Sequence, residues 1–144
     1  MELRASMFIV CEPKRAYDAF CDGRQIGNFW FSSSSRPWES GEVVRLRHEA
    51  YGADFDIQVV EAIPHSLIRF DWGEEAERRH CRIAITPREG GCLVSVSESD
   101  WPTDRDVTHE LLQNQTGWVF MLTCLKAYLE NGISNLHEGL VMGN

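Results

Sequence analysis

The sequence predicts an α+β domain in which a curved antiparallel sheet is covered by one long C-terminal helix. Three observations carry this. Between Val43 and Glu98 apolar residues recur at every second position in five short segments separated by turn residues. Between Thr103 and Ile133 the period changes: Val107, Leu111, Trp118, Leu122, Leu125 and Leu129 recur at intervals of three, four and seven, one stripe of a helix. Ahead of both lie an opening strand and two short helical pieces. A sheet with one greasy face needs a cover, and the long helix supplies it.

Leu3 to Val10 alternates loosely and reads as the first strand. Pro13 opens a short helix whose face is Ala16, Tyr17, Ala19 and Phe20, and Gly23 closes it. A second short helical piece spans Arg24 to Phe31, ending on Phe29, Trp30 and Phe31, aromatics that need burial. Ser32 to Gly41, which opens on a run of four serines, reads as a mobile loop; as a flap it would set Phe29, Trp30 and Trp38 at a cavity mouth.

The five alternating segments follow. Val44, Leu46, His48 and Ala50 share one face of the first; Phe55, Ile57 and Val59 alternate in the second, and Ile68, Phe70 and Trp72 in the third. Cys81, Ile83 and Ile85 alternate in the fourth, and Cys92, Val94, Val96 and Glu98 face one way in the fifth. Short turns join them, so neighbours pair antiparallel. Thr103 with Asp106 approximates a capping box for the long helix, and Gly132 fits the left-handed position past its end. One domain over residues 1–133 and a flexible tail over 134–144 are expected.

A chain of 144 residues is long enough for a proper core. Its net charge of −8, with no basic run, argues against nucleic acid or a membrane surface as main partner. No apolar run reaches spanning length and no signal peptide opens the sequence, so cytoplasmic residence is expected. The five cysteines form no C-x-x-C pair, and the five histidines show no short ligand spacing with them, so reduced, mostly buried thiols and neither metal nor cofactor are expected.

The element order strand, two short helices, five meandering strands and a long C-terminal helix resembles the helix-grip fold of the START, or SRPBCC, superfamily. Gly117-Trp118, Leu122, Leu125-Lys126, Tyr128-Leu129-Glu130 and Gly132-Ile133 resemble the end of proteins related to the C-terminal domain of the activator of the heat-shock-protein-90 ATPase. Pro13, Ala16, Phe20 and the run Glu98-Ser99-Asp100-Trp101 look like that family too. The resemblance implies a cavity between sheet and helix that takes an apolar molecule, and a stress-response setting. It supplies no universal catalytic motif.

The expected ligand site is a mainly apolar pocket bounded by His48, Phe55, Ile57, Phe70, Val96 and Glu98 from the sheet and by Asn114, Gln115, Trp118 and Met121 from the helix. Asn114 and Gln115 interrupt the greasy stripe, and buried amides need partners, which a ligand carbonyl or hydroxyl would provide. Glu98 or His48, set among apolar neighbours, could instead act as an acid or base in a cyclase or hydrolase. A third reading is a co-chaperone-like module that contacts a protein partner, a chaperone. His109 projects to solvent, and the outward Phe120 could serve a homodimer contact. Cys124 has no base partner in the sequence pattern to make it a nucleophile.

Overall fold

A computed structural model describes residues 1–141. Residues 142–144, the end of the tail expected to fray, lie outside the described residues. The strands are β1 (Leu3–Ile9), β2 (Ser33–Ser34), β3 (Val43–His48), β4 (Ala53–Ile63), β5 (Leu67–Trp72), β6 (Arg79–Arg88) and β7 (Gly91–Ser99); the helices are α1 (Pro13–Cys21) and α2 (Thr108–Asn131). They form a seven-stranded sheet in the order β1-β7-β6-β5-β4-β3-β2, antiparallel throughout. The first strand therefore pairs with the last, Ala5 opposite Val96 and Met7 opposite Val94. A register shift between Val59 and Glu61 marks a bulge in β4, the kind of irregularity that bends a strand and deepens curvature.

Period two becomes burial as expected. In β7 the side chains of Cys92, Val94, Val96 and Glu98 are buried and those between them only half-buried. α2 lays Trp118, Met121, Leu122, Leu125 and Leu129 on this face. Gly132 ends it at φ +68°, its N–H bonding the Tyr128 carbonyl at 2.9 Å while the Ile133 N–H reaches Ala127 at 3.3 Å.

Three local expectations are corrected. The long helix starts at Thr108, not at Thr103. Trp101 is buried, with the Arg79 guanidinium 4.5 Å from its ring centre, and this holds the preceding chain down. Asp106, not Thr103, then takes the first free donor: its Oδ1 accepts from the Thr108 N–H at 2.9 Å and hydroxyl at 2.6 Å. The second short helix shrinks to a 3-10 turn, Ile26–Asn28. There Gly27 approaches the Ser32 carbonyl so closely that a Cβ would lie 2.9 Å from it.

The serine run is an edge strand instead of a free loop. Ser32 donates to the Arg47 carbonyl at 2.8 Å and Ser35 to Arg45 at 2.9 Å. Trp38 is 1% exposed, with its ring 5.3 Å from Phe70 and its backbone N–H on the Cys21 carbonyl. It is a core residue and not a lid. Serine's modest strand preference hid backbone pairing that needs no particular side chain.

Candidate functional site

The interior between α2 and the sheet is organised by one carboxylate. Glu98 on β7 is 0% exposed. Its Oε2 accepts from Trp72 Nε1 at 2.8 Å, from Arg79 Nε at 2.7 Å and from Asn114 Nδ2 at 3.2 Å. Its Oε1 accepts from Trp118 Nε1 at 2.9 Å and from Asn114 Nδ2 at 3.1 Å. These donors come from β5, from β6 and from two positions one turn apart on α2. A carboxylate has about four lone-pair sites, and these donors occupy them. Glu98 thus sits among polar donors and not in the purely apolar surroundings that its neighbours Val94 and Val96 suggested, and His48 is not among its partners. Asn114 spends its amide on Glu98, and Gln115 donates to the Arg4 carbonyl on β1 at 2.9 Å.

Aromatic rings fill the space beside this carboxylate. Trp118 stacks on Trp72 with centroids 5.2 Å apart, and Trp30 lies 5.5 Å from Trp118 and 6.3 Å from Trp72. Ile57, Phe70, Val96 and Trp118 are each at most 3% exposed. These residues, expected to line a ligand cavity, are enclosed by one another. The sequence places them on the right face, but it cannot show how far the indole rings of Trp30, Trp72 and Trp118, distant in the chain, fill the space.

Two concavities flank the filled centre. One, about 560 Å³, is a cleft bounded by Phe31, Phe55, Trp72, Arg79 and Asn114. The other, about 460 Å³, lies against Gly117 and Met121 of α2. Phe29, Trp30, Phe120 and Met121 give it apolar walls, His48 and Tyr51 a polar side, and His137 and Leu140 a cover. Of the residues expected in the site, His48 and Met121 line this second pocket together with Phe29 and Trp30 from the expected mouth. Gly117 lines it too, and its missing side chain leaves open space: a Cβ there would meet nothing within 4 Å.

The C-terminal segment is the part sequence reasoning missed. Leu136–Glu138 forms a 3-10 turn, and the Tyr51 hydroxyl donates to the Leu140 carbonyl at 3.0 Å. His48 sits at the end of β3, its ring 4.4 Å from Tyr51. Burial holds its pKa below the ordinary histidine value, and the nearby His137 lowers it further. Among the described residues the Nδ1 atoms of both His48 and His137 are buried without a hydrogen-bond partner. No Asp, Glu, Lys or Arg lines this pocket among the described residues. Cys124, elsewhere on α2, is buried, which pushes its thiol up to about 11 and away from a nucleophile's range.

A curved antiparallel sheet closed on a long C-terminal helix, with the short helical elements set after the first strand, defines a helix-grip protein of the SRPBCC type. Within that class the chain belongs to the family of Activator of Hsp90 ATPase homolog 1-like proteins, which residues 11–130 match. It is similar to protein SSP2350 from Staphylococcus saprophyticus at 36% identity over 93% of this chain and 95% of that one, with a TM-score of 0.82. The fold is also that of protein MLL2253 from Mesorhizobium loti, at 15% identity over 90% and 97% of the two chains with TM-score 0.80. The Aha1 dimer from Colwellia psychrerythraea shares it at 19% identity over 92% and 98%, also with TM-score 0.80. No curated protein matches the chain. Among the described residues no helix is long and apolar enough to cross a membrane.

Proposed function

We propose that this protein binds a small, largely apolar molecule in the pocket between α2, Trp30 and the C-terminal turn. The observation that carries the reading is the pocket itself: about 460 Å³, walled by Phe29, Trp30, Phe120 and Met121, with two imidazoles as its titratable polar groups beside Tyr51. Small-molecule sites have volumes of roughly 300–1,000 Å³ and this mixture of apolar wall and few polar groups. Binding there requires no reaction, and Glu98 acts in it as scaffold. The test is titration of the uncharged dye N-phenyl-1-naphthylamine against the wild type and Gly117→Leu, whose side chain would occupy the open space. The variant should lose at least about tenfold in affinity while keeping its melting temperature. A dye that binds both proteins alike, or neither below about 1 mM, refutes the site.

One observation favours a second reading, contact with a protein partner such as a chaperone. Leu112 and Val119 are 65% and 46% exposed on the outward side of α2. The hydroxyls of Thr116 and Thr123 bond back to the Leu112 and Val119 carbonyls, which leaves that stripe apolar. If a Leu112→Ser, Val119→Ser variant loses binding to purified Hsp90 that the wild type shows, this reading gains; if the wild type shows none, it falls.

A further inference from the structure

The pocket's polar side specifies more than an apolar guest. His48 and His137 stand 89 residues apart in the sequence yet line the same pocket. In each ring Nδ1 is buried with no partner among the described residues. A neutral imidazole carries one N–H and one lone pair, and the hydrogen bonds available decide which nitrogen takes the proton. An N–H buried without an acceptor is costly. Both protons therefore belong on Nε2, and both Nδ1 atoms keep a lone pair. Protonating His48 would place a charged N–H in its orphaned position, and its lowered pKa accords with that cost. Of the other polar side chains lining the pocket, Tyr51 spends its hydroxyl proton on the Leu140 carbonyl and Gln113 is exposed to solvent. What the two histidines have left for a ligand is a pair of neutral N–H donors.

We infer that the pocket selects apolar molecules that carry a neutral acceptor oxygen, a ketone or ester carbonyl, held by the Nε2–H groups of His48 and His137. This rests on the binding reading above and names its ligand class. Carboxylates are the poorer guests: among the described residues no Lys or Arg lines the pocket, so a buried carboxylate would stand without a counter-charge. Hydrocarbons of the same shape leave the two donors unsatisfied.

The test compares benzophenone with diphenylmethane, which share shape and differ in the carbonyl oxygen, by tryptophan-fluorescence titration at pH 8. Wild type is measured against His48→Leu, His137→Leu and the double variant. The double variant should lose at least about fivefold in affinity for benzophenone, the effect of a hydrogen bond or two, and nothing for diphenylmethane. Two-bond proton–nitrogen spectra of the wild type should show both rings protonated at Nε2. Equal losses for both ligands, no loss for either, or rings protonated at Nδ1 overturn the inference while leaving an apolar pocket in place. If neither compound binds wild type below about 1 mM, the pocket reading and this inference fall together.

Discussion

Replacing Glu98 with glutamine tests the organising interaction directly. The glutamine amide keeps the shape but has one acceptor oxygen in place of two. If that oxygen keeps Trp72 and Arg79, at 2.8 and 2.7 Å in the wild type, the new NH2 points at the Trp118 N–H that Oε1 accepted at 2.9 Å. At least one buried donor is then orphaned, at about 1–3 kcal/mol. The Arg79 side chain, only 21% exposed, also loses its counter-charge. Removing one partner of a buried pair costs about 3–5 kcal/mol, and because the orphaned donor is part of that damage we expect the whole loss to fall in this range. At about 2–4 °C per kcal/mol for a chain near this size, Glu98→Gln should melt roughly 10 °C lower. Urea unfolding followed by tryptophan emission is the assay, since two of the indoles bond the carboxylate; the midpoint should fall with an unchanged slope. A loss below about 1 kcal/mol would refute the claim that this carboxylate organises the interior. Arg79→Met added to Glu98→Gln should cost little more, because the stranded charge is gone; strictly additive losses would mean that the two residues are not coupled.

Other expectations are simpler. Leu125→Ala should cost about 2–5 kcal/mol, as for other fully buried leucines, measured by the same unfolding curve. Gly91→Ala should destabilise strongly and lower the yield of folded protein, because its Cβ would lie 2.2 Å from the Ile9 carbonyl oxygen. The folded-state pKa of His48 is lowered, so the unfolded chain takes up the proton first as pH falls. Its contribution is intact above the unfolded value near 6.5 and is lost as pH drops through the lower folded one, a loss that His48→Gln should remove from the stability–pH curve. The amides of Ser32, Ser35 and Trp38, bonded to the Arg47, Arg45 and Cys21 carbonyls in that order, should exchange with deuterium as slowly as strand amides; exchange at loop rates would restore the flap.

The parts of this molecule that were legible in its sequence are those where one period governs one element. Trp118, Leu122, Leu125 and Leu129 announce the gripping helix, and the run from Cys92 to Glu98 announces which side of β7 faces inward. The site was harder because its groups meet only through topology. Trp72, Arg79 and Asn114 reach Glu98 from three other elements, and no spacing connects them. His48 lay on the expected face, but His137 sits in a short polar stretch whose composition suggests fraying, and only the fold brings it to the pocket. Trp38 was misplaced for a different reason: its serine-rich neighbourhood looks like a loop, while its own burial is decided by Phe70 and Trp30.

The arrangement around Glu98 also answers a problem that leucines alone cannot solve. Apolar contacts are non-directional, so a helix carrying Leu122, Leu125 and Leu129 could slide along a greasy sheet by one turn, about 5.4 Å, and still bury its stripe. Asn114 and Trp118, four residues apart, clasp a single carboxylate. Sliding by a turn would bring Leu122 to the place of Trp118 and leave a buried charge facing a methyl group. The carboxylate thus works as an index pin. Oil holds the helix to the sheet, and one ion fixes where along the sheet it stops.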